Sequence, residues 1–133
     1  MFRRLSDQVL VAGQIGPEDV AEAAAWGITV IVNNRPDREE PGQPLDSEIE
    51  AAARAAGLAY HHIPIAGGIE SEAVERMAGV LDEEDTVLAF CRSGTRSTWL
   101  WAMAEASRGA SGAALIAQAA AAGYDLEPLR PYL

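Results

Sequence analysis

The sequence predicts an α/β fold, with a mainly parallel central sheet flanked by helices. Three observations carry this. Short runs rich in β-branched and apolar residues alternate with Ala-rich segments. Several of those segments open on acidic or hydroxyl residues and close on a glycine (Gly27, Gly57, Gly123). Apolar residues make up 49% of a 133-residue chain, enough to bury one sizeable core, so residues 1–133 are read as a single domain.

The elements follow in order. Val9 to Ala12 reads as a short strand, and Gly13 and Gly16 turn the chain. Pro17, Glu18 and Asp19 suit a helix start, where proline loses no hydrogen bond and acids meet the positive end of the dipole; this helix runs to about Trp26. "ITVIVNN" has the composition of a buried strand. Residues 35–44, "RPDREEPGQP", hold three prolines and a glycine and form a substantial loop. Asp46 and Ser47 are placed to cap the next helix, which Gly57 ends before the strand "LAYHHIPI". After "AGGIE", a third helix starts at Ser71 and runs to about Val80, and "TVLAF" is a fourth strand. A helix is expected from Ser97 to about Ser107, a mobile connection over Arg108 to Gly112, and a last helix over roughly 113–122.

Sites in such sheets form beyond the carboxyl ends of the strands. Three segments are expected to meet there: Asn33 to Gln43, Ala66 to Glu70, and Cys91 to Arg96.

Formal charge is −10, which repels nucleic acid and anionic membranes and argues against either as a partner. No apolar run approaches the roughly 20 residues that cross a bilayer, and Val9 to Ala12 is too short for a signal-peptide core. A single cysteine allows no intramolecular disulfide and fits a reducing compartment. A soluble, cytoplasmic protein is expected.

That cysteine, Cys91, sits in "AFCRSGTRS", between an apolar strand and a helix. A strand, a thiol, a short polar loop and a helix start place the sulfur under a ring of backbone amides. Amide dipoles, the helix terminus and Arg92 and Arg96 each favour thiolate over thiol, and thiolate is the nucleophile. Arg96 can aim its planar fork at a bound oxyanion, and Gly94 supplies a backbone conformation that a β-carbon hinders. The amides of Ser93, Gly94, Thr95 and Arg96 line the cradle. Ser97 either donates its hydroxyl to the thiolate or caps the helix, and the two roles compete. Arg35 either adds positive charge to the pocket or pairs with Asp37, Glu39 or Glu40 nearby in sequence. Core packing does not call for Gly, Ser, Thr and two Arg around a thiol.

His61 and His62 are adjacent on a strand and so face opposite sides. With no third histidine or second cysteine, the sequence offers no metal set, and no cofactor is expected. Trp99 and Trp101 do not share a helix face, so one belongs to the core.

"CRSGTR" resembles the active loop of rhodanese-type sulfurtransferases, which place four residues between the cysteine and a last loop residue that is often Arg. Protein tyrosine and dual-specificity phosphatases place five, and here the position that follows is Ser97. Taken together, "FRRLSDQVLVAGQI", "VNNRPDREEPGQP", "YHHIPIAGG", "CRSGTRS" and "AGYDLEPLRP" resemble the phosphatase-like domain of beta-lactamase-hydrolase-like proteins. The resemblance implies a cysteine-phosphatase-like architecture of the tyrosine and dual-specificity type. It also implies a persulfide dioxygenase-type enzyme as a possible partner, since that domain occurs fused to such metal-dependent domains. Dual-specificity phosphatases carry their general acid just after a strand resembling "YHHIPI". Here that stretch is Ala66, Gly67 and Gly68, with no carboxylate until Glu70. Asp37 is the substitute if the long loop folds over the site; its other role is turn chemistry in "RPD".

Both departures lead the sequence reading to a sulfurtransferase. In it Cys91 takes the outer sulfur of a small anionic donor, thiosulfate or a low-molecular-weight persulfide, and passes it to a thiol or cyanide. The alternative is a cysteine-based phosphatase acting on a phosphate ester, with Asp37 or Glu70 as acid. A third is an anion-binding regulatory module without turnover. Oligomeric state is not legible in the sequence.

Overall fold

The computed structural model describes residues 1–133. Five strands form one sheet: β1 (Arg3–Arg4), β2 (Val9–Ala12), β3 (Val30–Asn33), β4 (Ala59–His62) and β5 (Val87–Phe90), in the order β1-β2-β5-β3-β4. Only β1 runs antiparallel, and it was not foreseen. At two residues it has no periodicity to read, and it forms because Arg3 and Arg4 pair with Val11 and Leu10. Helices α1 (Pro17–Ala25), α2 (Asp46–Ala55), α3 (Ser71–Asp82), α4 (Thr95–Ser107) and α5 (Gly112–Ala121) connect or follow the strands, and a terminal 3₁₀ helix spans Glu127–Tyr132.

Every residue of β2, β3 and β5 is buried, as befits parallel strands covered on both faces. Alternation splits them between two apolar layers. Val9, Val11, Val30, Val32, Val87 and Ala89 pack with Met77, Leu81, Leu100, Trp101 and Leu115 from α3, α4 and α5. Leu10, Ile31, Leu88 and Phe90 pack with Val20, Ala23, Ile49 and Ala53 from α1 and α2. Trp101 is fully buried, and Trp99 packs against the same layer from its edge.

Two helix starts differ from the sequence reading. Asp46 is the first residue of α2 rather than its cap: the cap is Leu45, whose N–H donates to Glu48 at 3.3 Å. Helix α4 begins at Thr95, two residues before the expected Ser97, because Gly94 takes φ +92° and turns the chain directly into the helix. Between α4 and α5, the Ser111 hydroxyl accepts from Ala114 N–H at 3.4 Å and caps α5. No helix is long and apolar enough to cross a membrane.

Strand register positions the site. Ala12 and Asn33 both lie opposite Phe90, and Asn33 lies opposite His62. The carboxyl ends of β2, β5, β3 and β4 therefore finish in one row, and the segments leaving them emerge side by side. The sequence reading named the loops after β3, β4 and β5; the row adds a fourth, at Gly13 and Gln14.

Candidate active site

Cys91 follows the last residue of β5 and is buried. Its N–H donates to Ala12 C=O at 3.4 Å, and its Sγ accepts from Gly94 N–H at 3.1 Å. Gly94 is held from behind, because its carbonyl accepts from both Thr98 N–H (2.9 Å) and Thr98 Oγ1 (2.8 Å). The loop leaving β2 supports the near side through Gln14 N–H on Arg92 C=O at 3.3 Å. A Cβ on Gly13 would come within 3.1 Å of that carbonyl, a tight contact that one of the two loops would have to relieve by shifting. Ser93 and Thr95 are exposed, their hydroxyls 3.1 Å apart, and the Thr95 N–H donates to Ser93 Oγ at 3.4 Å.

Arg96 reaches across the mouth of the loop. Nη1 and Nη2 donate to the two oxygens of Glu39 at 2.7 and 2.8 Å, and Nη1 also donates to Ile65 C=O at 2.7 Å. A guanidinium has five N–H donors. These three bonds use its outer end and one flank, leaving Nε–H and the second Nη2–H, the parallel pair that matches two oxygens of an oxyanion. The Glu39 bond raises the Arg96 pKa against the opposing effect of burial, and charge at Cys91 raises it further. Arg96, bonded to Glu39, lowers the Glu39 pKa to about 2 despite burial, with Arg35 assisting. Glu39 is therefore an ionised brace and not a proton donor near neutrality.

The other residues named from sequence divide. Arg35 is only 3% exposed and donates to Glu39 (2.8 Å), Gln14 (3.0 Å) and Glu40. It holds the long loop, which is the pairing alternative of the sequence reading. Arg92 is 66% exposed and pairs with Glu40 at 3.4 Å. Ser97 neither caps α4 nor donates to the sulfur: it is buried, and its hydroxyl donates to Asn34 Oδ1 at 2.8 Å. Asn34 in turn donates to Ile63 C=O at 2.9 Å, so the pair bolts the ends of β3 and β4 to α4. Asp37 does not fold over the thiol, because its Oδ1 accepts from Asp46 N–H at 2.8 Å at the start of α2. This arrangement is the turn-chemistry alternative of the sequence reading.

His62 points to the base of the long loop, with Nε2 2.9 Å from Arg35 C=O, while His61 lies exposed on the other side of β4. A cleft of about 340 Å³ runs along Ile63 to Gly68 and the start of α3, with Glu70, Glu72 and Arg76 on its walls; neither Cys91 nor Arg96 lines it, and Arg96 meets its edge only through Ile65 C=O. Gln14 was not foreseen as part of this site, and Asn34 and Glu39 lie in a segment expected there but were given no bond to Ser97 or Arg96. The available signals were a polar doublet ending an apolar strand ("VNN") and paired acids in the long loop.

The chain and its fold have counterparts among known proteins. Residues 1–108 match the family described as the beta-lactamase hydrolase-like protein, phosphatase-like domain. A beta-lactamase hydrolase-like protein of Agrobacterium fabrum is 38% identical over 108 residues, covering 80% of this chain and 25% of that protein. The chain thus spans about a quarter of the length of the curated relatives it matches. A solved structure of a candidate phosphatase from Neisseria meningitidis superposes with TM-score 0.83 at 35% identity, covering 97% of this chain and 93% of that one. Kinase associated phosphatase, solved with its catalytic-site cysteine changed to serine, superposes with TM-score 0.72 at 17% identity over 88% of this chain and 79% of its own, a likeness of fold. The cysteine-phosphatase-like architecture implied by the resemblance is the one found, and the chain belongs to the family of beta-lactamase hydrolase-like protein, phosphatase-like domains.

Proposed function

We propose that this domain is a cysteine-dependent hydrolase of phosphate monoesters. This reading takes precedence over the sulfurtransferase expected from sequence, because family and fold neighbours are described as phosphatases or phosphatase-like. The single observation that carries it is the Cys91 sulfur receiving the Gly94 N–H at 3.1 Å at the head of a helix, with the Arg96 guanidinium near enough that Cys91, after Glu39, raises its pKa by charge and hydrogen bonding. Cys91 Sγ attacks phosphorus while the ester P–O bond breaks. Arg96 and the loop amides carry the charge of the transferring oxygens. Water then cleaves the S–P bond, releasing phosphate and regenerating the thiolate.

With Asp37 bound to α2 and Glu39 ionised, no carboxyl of the two loops that meet at Cys91 is placed to protonate a leaving alcohol, and Glu70, named from the sequence as the other acid, lines the neighbouring cleft. Substrates whose leaving group needs no proton, such as aryl phosphates, should therefore turn over best. The test is hydrolysis of para-nitrophenyl phosphate by the wild type and Cys91→Ser. Phosphate release by the wild type alone, with a phosphocysteine trapped at Cys91, is the expected result. No release from aryl phosphates overturns the reading.

Sulfur transfer is the second reading, favoured by the four-residue spacing from Cys91 to Arg96 and by the commitment of Asp37 elsewhere. Here the thiolate attacks the outer sulfur of thiosulfate, the S–S bond breaks, and sulfite leaves with the electron pair and no proton. A gain of one sulfur on the wild type, absent in Cys91→Ser, would select it. A persulfide dioxygenase-type enzyme as partner belongs to this reading alone.

A further inference from the structure

Tyr124 lies in the turn after α5, beyond the residues matched by the family, yet its hydroxyl reaches the cysteine loop and donates to Ser93 C=O at 3.1 Å. That carbonyl and the Gly94 N–H belong to one peptide unit, and the Gly94 N–H is the donor on Cys91 Sγ at 3.1 Å. One planar group therefore links the phenol to the sulfur. A donor on its carbonyl both fixes the plane's rotation and polarises the N–H toward stronger donation.

The packing is tight enough to enforce this. A Cβ at Gly94 would overlap Tyr124 Oη and come within 3.0 Å of Cζ. Tyr124 is itself clamped: the Arg3 guanidinium lies 5.6 Å from its ring centroid while donating to Ala122 C=O at 2.9 Å. Burial pushes the phenol pKa up, and over the opposing influence of Arg3 the charge at Cys91 adds to it, so the hydroxyl keeps the proton it donates.

We propose that Tyr124 is a positioning residue for Cys91, stabilising its thiolate through the Ser93–Gly94 peptide. The proposal rests on Cys91 as the nucleophile and is the same for phosphoryl and sulfur transfer. Cys91 is the only cysteine, so the ultraviolet absorbance of its thiolate, taken as the difference from Cys91→Ser in the same background, reports its titration directly.

In Tyr124→Phe the thiolate curve is expected to move to higher pH, with about three- to tenfold less thiolate at a given pH on the rising limb. Turnover should fall in kcat more than it changes KM. A curve superimposable on the wild type, in a variant that melts normally, overturns the proposal. If Tyr124→Phe does not fold, 3-fluorotyrosine placed at position 124 decides. Its hydroxyl is a stronger donor of the same shape, so the curve should move to lower pH, and an unchanged or opposite shift overturns the proposal. Turnover that survives Cys91→Ser would instead sink the nucleophile reading, whatever the Tyr124 titration shows.

Discussion

The two loops that meet over Cys91 are built on different physics. The loop after β5 is held largely by backbone: Cys91 N–H on Ala12 C=O, Gln14 N–H on Arg92 C=O, Gly94 C=O under Thr98, Ser93 C=O under Tyr124. The loop after β3 is held by charge, with Arg35 and Arg96 gripping Glu39, Glu40 on Arg35, and Asp37 on the first amide of α2. A loop that must present amides at fixed positions to a developing charge gains from main-chain geometry, which does not titrate. A loop that only braces an arginine can use side chains, at the cost of depending on pH and salt.

The largest effect is expected from breaking the backbone-held loop. Gly94→Ala puts a β-carbon at φ +92°, where it would overlap Tyr124 Oη and lie 3.3 Å from Ala12 C=O. The strain should cost about 1–3 kcal/mol in a urea titration. Alanine keeps the N–H, but the strain and the clash should displace it from Cys91 and lower kcat by about 100-fold or more. Wild-type turnover in a folded Gly94→Ala protein would show that the chemistry does not depend on the left-handed turn at this position.

Glu39→Gln breaks the charge-held loop and should act mainly on KM and on pH dependence. The native Glu39 pKa is lowered to about 2 from an ordinary 4.5. A depressed carboxylate stabilises the fold above its unfolded pKa and loses that contribution as pH falls through the folded one. The wild type should therefore lose stability between about pH 4.5 and pH 2 through this group, and Glu39→Gln should lack that component of the loss. Parallel denaturation midpoints across the window would contradict the brace.

The smallest effect is expected at Asp37. Asp37→Ala removes one acceptor from the start of α2 and should cost about 1 kcal/mol, with turnover of aryl phosphates nearly unchanged. A collapse of kcat, with the basic limb of the pH profile lost, would restore Asp37 as the acid and show that the long loop closes over substrate.

How much of this was legible can be followed through single residues. The strand endings and helix bodies were readable because burial imposes a local period: "VLVA", "VIVN" and "VLAF" are all buried. Cys91, Gly94 and Arg96 were readable because their roles follow from one loop between a strand and a helix. Arg35 and Ser97 each had two readings that local sequence left open; Arg35 pairs with Glu39 and Glu40 of its own loop and with the remote Gln14, and Ser97 bonds to Asn34 on another element.

The sequence by itself determined an α/β chain, a thiol beneath amides at a helix start, and an arginine fork near it, since all three depend on neighbours a few residues away. Only the tertiary structure decided that Glu39 braces Arg96 across 57 residues, that Ser97 serves Asn34 across 63, and that Tyr124 reaches Ser93 across 31. Those bonds exist because parallel register brings Ala12, Phe90, Asn33 and His62 to one row and the terminal turn folds back beside it. Hydrogen bonds act only over about 3 Å, so which groups meet is set by the register of whole elements and not by any local pattern.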